Sequence, residues 1–236
     1  MNNERNKLRV FTAFSGYDSQ CMALDRPGLP YDLIGWSEID KYAIQAHNAV
    51  YPQWSDRNYG DISKIEWENV PDMDLFTYSF PCTDISNAGL QKGFTEGSGT
   101  RSGLLWECVK CIKAKHPKWL LMENVKALTS KKFMPEFEKW LRFLENEGYI
   151  TDWMVMNAKD YGVPQNRERV FAVSQLRFQF PKPWELNECM QDRLEKDVDE
   201  KYFLSDEMLE KFVFDEKFLK EYERIKEEES NRGEEA

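Results

Sequence analysis

The chain has 236 residues with a formal net charge of −10, and 41% of them are hydrophobic, enough for one sizeable packed domain with or without a small appendage. No apolar run approaches the roughly 20 residues that span a bilayer, and the opening MNNERNKLRVF lacks a signal-peptide pattern, so a cytoplasmic protein without membrane contact is expected. The acidity is uneven: residues 181–236 hold 10 Lys/Arg against 19 Asp/Glu, and residues 1–180 hold 22 against 23. Nucleic-acid binding is therefore disfavoured for the tail but stays open for the nearly neutral body.

Residues 7–14 (KLRVFTAF) read as a buried strand, followed by a turn at Ser15-Gly16 and a helical stretch through Leu24. A second strand, 31–37, ends at Glu38, and Asp40 is placed to cap a helix running to about Val50. A third strand, 74–80, stops at Pro81-Cys82. Residues 83–101, rich in Gly, Ser and Thr, then form a long loop of the kind often used as a lid. A helix over 103–115, a strand over 118–122, a helix over 132–147 and strands over 151–157 and 169–174 complete the pattern. Apolar strands alternating with helices predict an α/β fold with a doubly wound, mostly parallel sheet, whose ligands sit at the carboxyl ends of the strands. Residues 1–180 are expected to form the catalytic domain. Residues 181–236 are expected to be an acidic connector, an amphipathic helix over 205–230 and a frayed end.

Cys108 and Cys111 form a C-x-x-C, but helical spacing puts both on one apolar face, and only His47 and His116 are present as histidines. Core packing is favoured over metal binding, and no metal site is expected.

Several residue types gather at predicted strand ends. Gly16 in FSGYDSQ permits a tight turn and close approach to a ligand, or simply makes a turn. Glu38 suits the two hydroxyls of a ribose, or is a solvated strand-end acid; Asp61 in YGDIS suits an adenine amino group, or an Asx turn. Cys82 leaves an apolar strand at the functional edge, where a thiolate is favoured, or is a small buried cysteine. Glu123-Asn124-Val125 ends the next strand, and Gln165-Asn166-Arg167-Glu168-Arg169 leads into the last one. The spacing of Arg167 and Arg169 aims both to one side, where they can clamp an oxygen or a phosphate, or else decorate a surface edge.

In order and spacing, FSG, the acid after the second strand, GDI, FPC, TRSGLL, ENV and YGVPQNRERVF resemble the C5-cytosine-specific DNA methyltransferases over residues 8–174. The N-P-P-Y or D-P-P-Y motif of amino-directed methyltransferases is absent from the sequence. The resemblance implies a Rossmann-like fold, S-adenosylmethionine as cofactor and double-stranded DNA as substrate. It assigns Cys82 as nucleophile, Glu123 to the cytosine N3 and amino group, and Arg167 and Arg169 to the ring oxygen and its surroundings. It assigns Phe14, Ser15 and Gly16 to the sulfonium and methionine end, Glu38 to ribose, Ile39 to the adenine face, and Asp61 and Ile62 to the adenine edge. Pro81 and Leu104 line the same pocket. The 83–101 loop, with Lys92 and Arg101, is expected to close over DNA. Two positions depart from the family pattern: residue 39 is often aromatic, and Tyr17-Asp18-Ser19 replaces a stretch with one or two more glycines.

Relatives continue into a target-recognition region, an R-x-L-T-P-x-E segment and a G-N-S-V segment, and residues after Ser174 resemble none of these. The expectation is a catalytic subunit completed by a second polypeptide. The alternatives are a truncated chain, a cofactor-binding regulatory module, or a methyltransferase acting on a cytosine of transfer RNA.

Overall fold

The computed structural model describes residues 7–86 and 92–175. The expected connector and tail, and Cys189, lie outside the described residues. Six strands form one sheet: β1 (Leu8–Ala13), β2 (Tyr31–Ser37), β3 (Leu75–Tyr78), β4 (Trp119–Val125), β5 (Thr151–Asn157) and β6 (Glu168–Ser174). Their order across the sheet is β2-β1-β3-β4-β6-β5. The β2-β1-β3-β4 part is parallel, and β6 is antiparallel to both β4 and β5.

The helices are α1 (Ser19–Asp25), α2 (Lys41–Val50), α3 (Cys108–Lys115) and α4 (Met134–Asn146). Strand order runs one way from β1 to β2 and the other way from β1 to β3. Right-handed crossovers therefore place α1, on the way to β2, on one face and α3 and α4, on the way outward from β3, on the other, while α2 packs on the α1 side before the chain returns to β3. The apolar residues obey this. Val10 and Leu33 pack with Cys21, Trp36 and Tyr51 on one face, while Phe11, Phe76 and Leu120 pack with Cys108, Phe137 and Trp140 on the other. Burial on both faces explains why the strands read as apolar runs rather than alternating ones.

Local chemistry sets the helix limits. Asp40 caps α2 by accepting from the Tyr42 and Ala43 N–H groups, both at 2.9 Å. The end of α3 is a left-handed His116 (φ 42°) followed by Pro117, which cannot continue a helix. In α4, Phe137, Trp140 and Leu144 form the buried stripe that helical spacing requires.

The C-x-x-C thiols are core groups: Cys108 and Cys111 are fully buried, and Cys111 Sγ lies 3.9 Å from Met73 Sδ. Burial pushes both thiols well up from their ordinary titration, which suits packing and not reactivity.

The point where strand order reverses is the gap between β1 and β3, and their carboxyl ends open the crevice where such sheets hold ligands. β6 adds one refinement to the expected topology. Because it runs backwards, its first residues, not its last, reach that same edge.

Candidate active site

Four strand exits and one strand entrance converge on this edge. From β1 comes the turn Phe14-Ser15-Gly16, whose backbone is left-handed at Phe14 (φ 56°) and Gly16 (φ 58°). A side chain pays for this conformation in strain, so a non-glycine there marks a turn fixed by its surroundings. Ser15 N–H donates to the Ser37 carbonyl at 3.1 Å, and Gly16 N–H donates to Glu38 Oε2 at 2.9 Å. Ser15 Oγ is buried without a hydrogen-bond partner, and a Cβ built on Gly16 meets nothing within 4 Å. The turn thus offers an unsatisfied hydroxyl and open space.

Asp18, at the departure from the family's glycines, is also left-handed (φ 69°). The substitution keeps the backbone shape that glycine would give, since aspartate is among the few side chains that tolerate it.

From β2 comes Glu38, whose Oε1 accepts from the Ile39 and Asp40 N–H groups at 2.8 and 2.9 Å. Its Oε2 takes the Gly16 bond alone and keeps a free lone pair for a hydroxyl donor. Ile39 is 68% exposed, a bare apolar side chain beside this acid. Asp61 caps a short 3-10 turn, accepting Ser63 N–H at 3.0 Å and Ser63 Oγ at 2.8 Å. Those bonds hold its carboxyl below the usual range. The Asx-turn alternative is therefore realised, and the second oxygen of Asp61 faces Lys64 Nζ at 3.9 Å. Ile62 is buried in the core, so only its backbone can meet an adenine edge. Leu104, in a 3-10 turn over Ser102–Glu107, packs partly buried against the core.

From β3 comes Pro81-Cys82. Cys82 is partly exposed, and its carbonyl accepts from Ile85 and Ser86 N–H at 3.0 and 2.8 Å, turning the chain sharply after the thiol. Ser102 Oγ donates to the Pro81 carbonyl, and Asn124 Nδ2 donates to the Phe80 carbonyl at 2.9 Å. The asparagine of ENV therefore braces the strand that carries the thiol.

The lid expectation for 83–101 narrows here. Ile85 and Phe94 are fully buried, Asp84 and Ser102 exchange hydrogen bonds at 3.1 and 3.2 Å, and Trp106 Nε1 donates to the Phe94 carbonyl. Residues 83–86 and 92–101 are thus anchored at these points, with Lys92 and Arg101 exposed; residues 87–91 lie outside the described residues.

From β4 and β6 come the polar partners. Arg169 Nε lies 2.9 Å from Glu123 Oε1, with about a quarter of each side chain exposed (22% and 25%). Arg169 sits opposite Val125 in the register, so Glu123 is its diagonal neighbour on the same face. Burial pushes the Glu123 carboxyl upward, and the charges of Arg169 and Arg167 with a hydrogen bond from Ser79 only partly offset it. Arg167 precedes the strand and is exposed, its N–H bound to Asn157 Oδ1 at 3.0 Å.

The sequence reading missed Ser79 and Gln20. Gln20 Nε2 donates to Ser79 Oγ at 3.0 Å, and Ser79 in turn faces Glu123, so one hydroxyl joins α1 to the β4 acid. Parallel pairing of Tyr78 with Met122 puts position 79 beside position 123, the signal that register supplies.

One edge of the α/β sheet thus bears an open glycine turn after β1, an acid after β2, a thiol after β3 and an acid–arginine pair from β4 and β6. The family model described as C-5 cytosine-specific DNA methylase matches residues 8–236, past the end of the motif resemblance. The chain belongs to that family, whose methyl donor is S-adenosylmethionine. It is 38% identical to the type II methyltransferase M2.ScrFI of Lactococcus lactis subsp. cremoris, over 91% of this chain and 74% of the relative. It is 41% identical to the orphan methyltransferase M.SssI of Spiroplasma monobiae, over 86% of this chain and 69% of the relative. The chain spans only 33% to 54% of the length of three other curated relatives. The fold is shared with the Entamoeba histolytica methyltransferase EhMeth (TM-score 0.70, 17% identity, 87% of this chain and 65% of that one). No helix among the described residues is long and apolar enough to cross a membrane.

Proposed function

We propose that the chain methylates C5 of cytosine in double-stranded DNA through a covalent bond between Cys82 and C6 of a base turned out of the duplex. The observation that carries this reading is the Glu123–Arg169 pair, 2.9 Å apart and partly desolvated, at the sheet edge that also bears Cys82.

C5 of cytosine is a poor nucleophile. Addition of the Cys82 thiolate to C6 makes C5 an enamine carbon, provided the ring can accept a proton at N3. Glu123, its carboxyl raised by burial, is suited to hold that proton and deliver it to N3. Arg169, and Arg167 beside it, hold the ring oxygen and stabilise charge as the adduct forms. Loss of the C5 proton and departure of the thiolate restore the aromatic ring and the enzyme. Turning the base out costs a few kcal/mol of stacking and pairing.

When bound, S-adenosylmethionine supplies an electrophilic methyl group. Glu38 accepts from the ribose hydroxyls, Ile39 covers the adenine face, Asp61 and the Ile62 backbone meet the adenine edge, and Ser15 and Gly16 receive the methionine end beside Phe14. Pro81 and Leu104 close the pocket from β3 and the following 3-10 turn.

The reading includes a second polypeptide that supplies target recognition, supported by the acidic balance of residues 181–236, which suits phosphate poorly. It places the reaction in the cytoplasm of a bacterial or phage-infected cell, supported by the bacterial and phage relatives.

The test is transfer of labelled methyl from S-adenosylmethionine to DNA, with and without such a partner. Cys82→Ala is expected to abolish transfer and the denaturation-resistant adduct on DNA containing 5-fluorocytosine. Transfer that survives in Cys82→Ala overturns the mechanism.

A further inference from the structure

Beneath the turn that follows β1 lies a buried polar cluster for which the proposed chemistry has no use. Asp18 and His47 are both fully buried. Asp18 Oδ2 accepts from Thr12 Oγ1 at 2.8 Å and lies 3.5 Å from His47 Nε2. The His47 ring stacks on Trp36, with centroids 3.7 Å apart and planes at 21°, and its Nδ1 is 3.4 Å from Asn48 Oδ1. The Cys21 thiol also faces Asp18, and burial and the Asp18 charge both push its titration up.

Two ionisable side chains held away from water are costly unless each orients the other. These two belong to the elements that carry the cofactor residues. Asp18 closes the turn, its N–H donating to the Ser15 carbonyl at 2.8 Å. His47 belongs to α2, whose cap Asp40 follows Glu38 by two residues.

We propose that Asp18 and His47 are positioning residues for the amino-acid end of S-adenosylmethionine. They fix the Ser15-Gly16 turn from below without touching the ligand. The proposal rests on the cofactor reading above. Its selectivity follows from what holds each part of the pocket. The Glu38 backbone is held by Asn58, its N–H donating to Oδ1 at 3.2 Å and its carbonyl accepting from Nδ2 at 3.1 Å, and its Oε1 by the Ile39 and Asp40 N–H groups, so only Oε2 shares a bond with the turn. Asp61 is fixed by Ser63. The Ser15-Gly16 turn has one bond to β2, one to Glu38, and the closure by Asp18. Loosening Asp18 should therefore disturb the methionine end and spare the adenosine half.

The experiment is calorimetric titration of the full chain with S-adenosylhomocysteine, which has the amino-acid end, and with 5′-methylthioadenosine, which lacks it. Asp18→Ala and His47→Gln are each expected to weaken S-adenosylhomocysteine about tenfold and to leave 5′-methylthioadenosine within about twofold. Asp18→Asn keeps an acceptor for Thr12 and tolerance of the left-handed backbone, so it should lose less than Asp18→Ala. Thermal melts establish that each variant is folded, and His47→Gln carries the test if Asp18→Ala melts below the assay temperature. Equal weakening of both ligands, or of neither, overturns the positioning role while the cofactor reading stands. A wild-type chain that binds neither ligand overturns the cofactor reading and this proposal with it.

Discussion

At the scale of residues, Glu123 is set by two opposing forces. Its burial favours the protonated carboxyl, and the arginine 2.9 Å away favours the carboxylate, with burial prevailing. Removing Arg169 takes away the stabilised anion, so Arg169→Gln should move Glu123 titration to still higher pH, read from the carbon-13 shift of the labelled carboxyl against Glu123→Gln. A downward shift would contradict the assignment of Arg169 as the charge that holds the carboxyl down against burial. Glu123→Gln keeps a neutral hydrogen-bond donor but has no proton to give, so methyl transfer should fall by about 100-fold or more while cofactor affinity stays. Comparable losses in transfer and in cofactor affinity would place Glu123 in the cofactor pocket instead.

At the scale of elements, the β1–β2 pairing carries an irregularity. Val10 pairs with Leu33 but Phe11 pairs with Gly35, so Ile34 is an extra residue in β2. A Cβ on Gly35 would stand 2.7 Å from both the Phe11 and Tyr59 rings, and Phe11 is fully buried. Gly35→Ala should therefore cost about 1–3 kcal/mol of stability in denaturant melts, from overpacking rather than from backbone strain. A cost below about 0.5 kcal/mol would mean the rings shift freely.

The strands and helices were legible because their signals are local: apolar runs, the Asp40 cap, Pro117 after α3. The site residues were legible as a set of strand ends. What was not legible depends on strands that meet only after folding. The antiparallel course of β6 determines that Arg169 reaches Glu123, and spacing along the chain says nothing of direction. The Gln20–Ser79–Glu123 line and the Asp18–His47 pair likewise join residues 29 or more positions apart in the chain, which only the folded sheet and its helices bring together. Ile62 shows the opposite limit. A motif placed it in the pocket, and its side chain lies in the core.

At the scale of the whole molecule, the amino ends of the strands are tied by charge. Asp74, just before β3, lies 3.2 Å from Arg9 Nε on β1 and 3.2 Å from Lys118 Nζ just before β4, with its side chain 13% exposed. Burial alone would raise its carboxyl, but the Arg9 and Lys118 bonds outweigh that and hold it below the usual value. A depressed carboxyl stabilises the fold above its unfolded titration point and loses that contribution as pH falls through the folded one. Asp74→Asn should therefore cost about 1 kcal/mol near neutral pH, and the gap to wild type should close in acid, measured by melts from pH 7 down to about pH 3. A gap that stays constant with pH would show that packing, not charge, is at stake. The opposite end of the same strands has a different economy of distance. β1 and β3 are hydrogen-bonded neighbours, so the turn leaving one and the thiol leaving the other start about 4.8 Å apart, the spacing of paired backbones. That spacing is a ruler built from peptide hydrogen bonds. It fixes where the Phe14 turn and the Cys82 turn begin relative to one another, whatever side chains surround them.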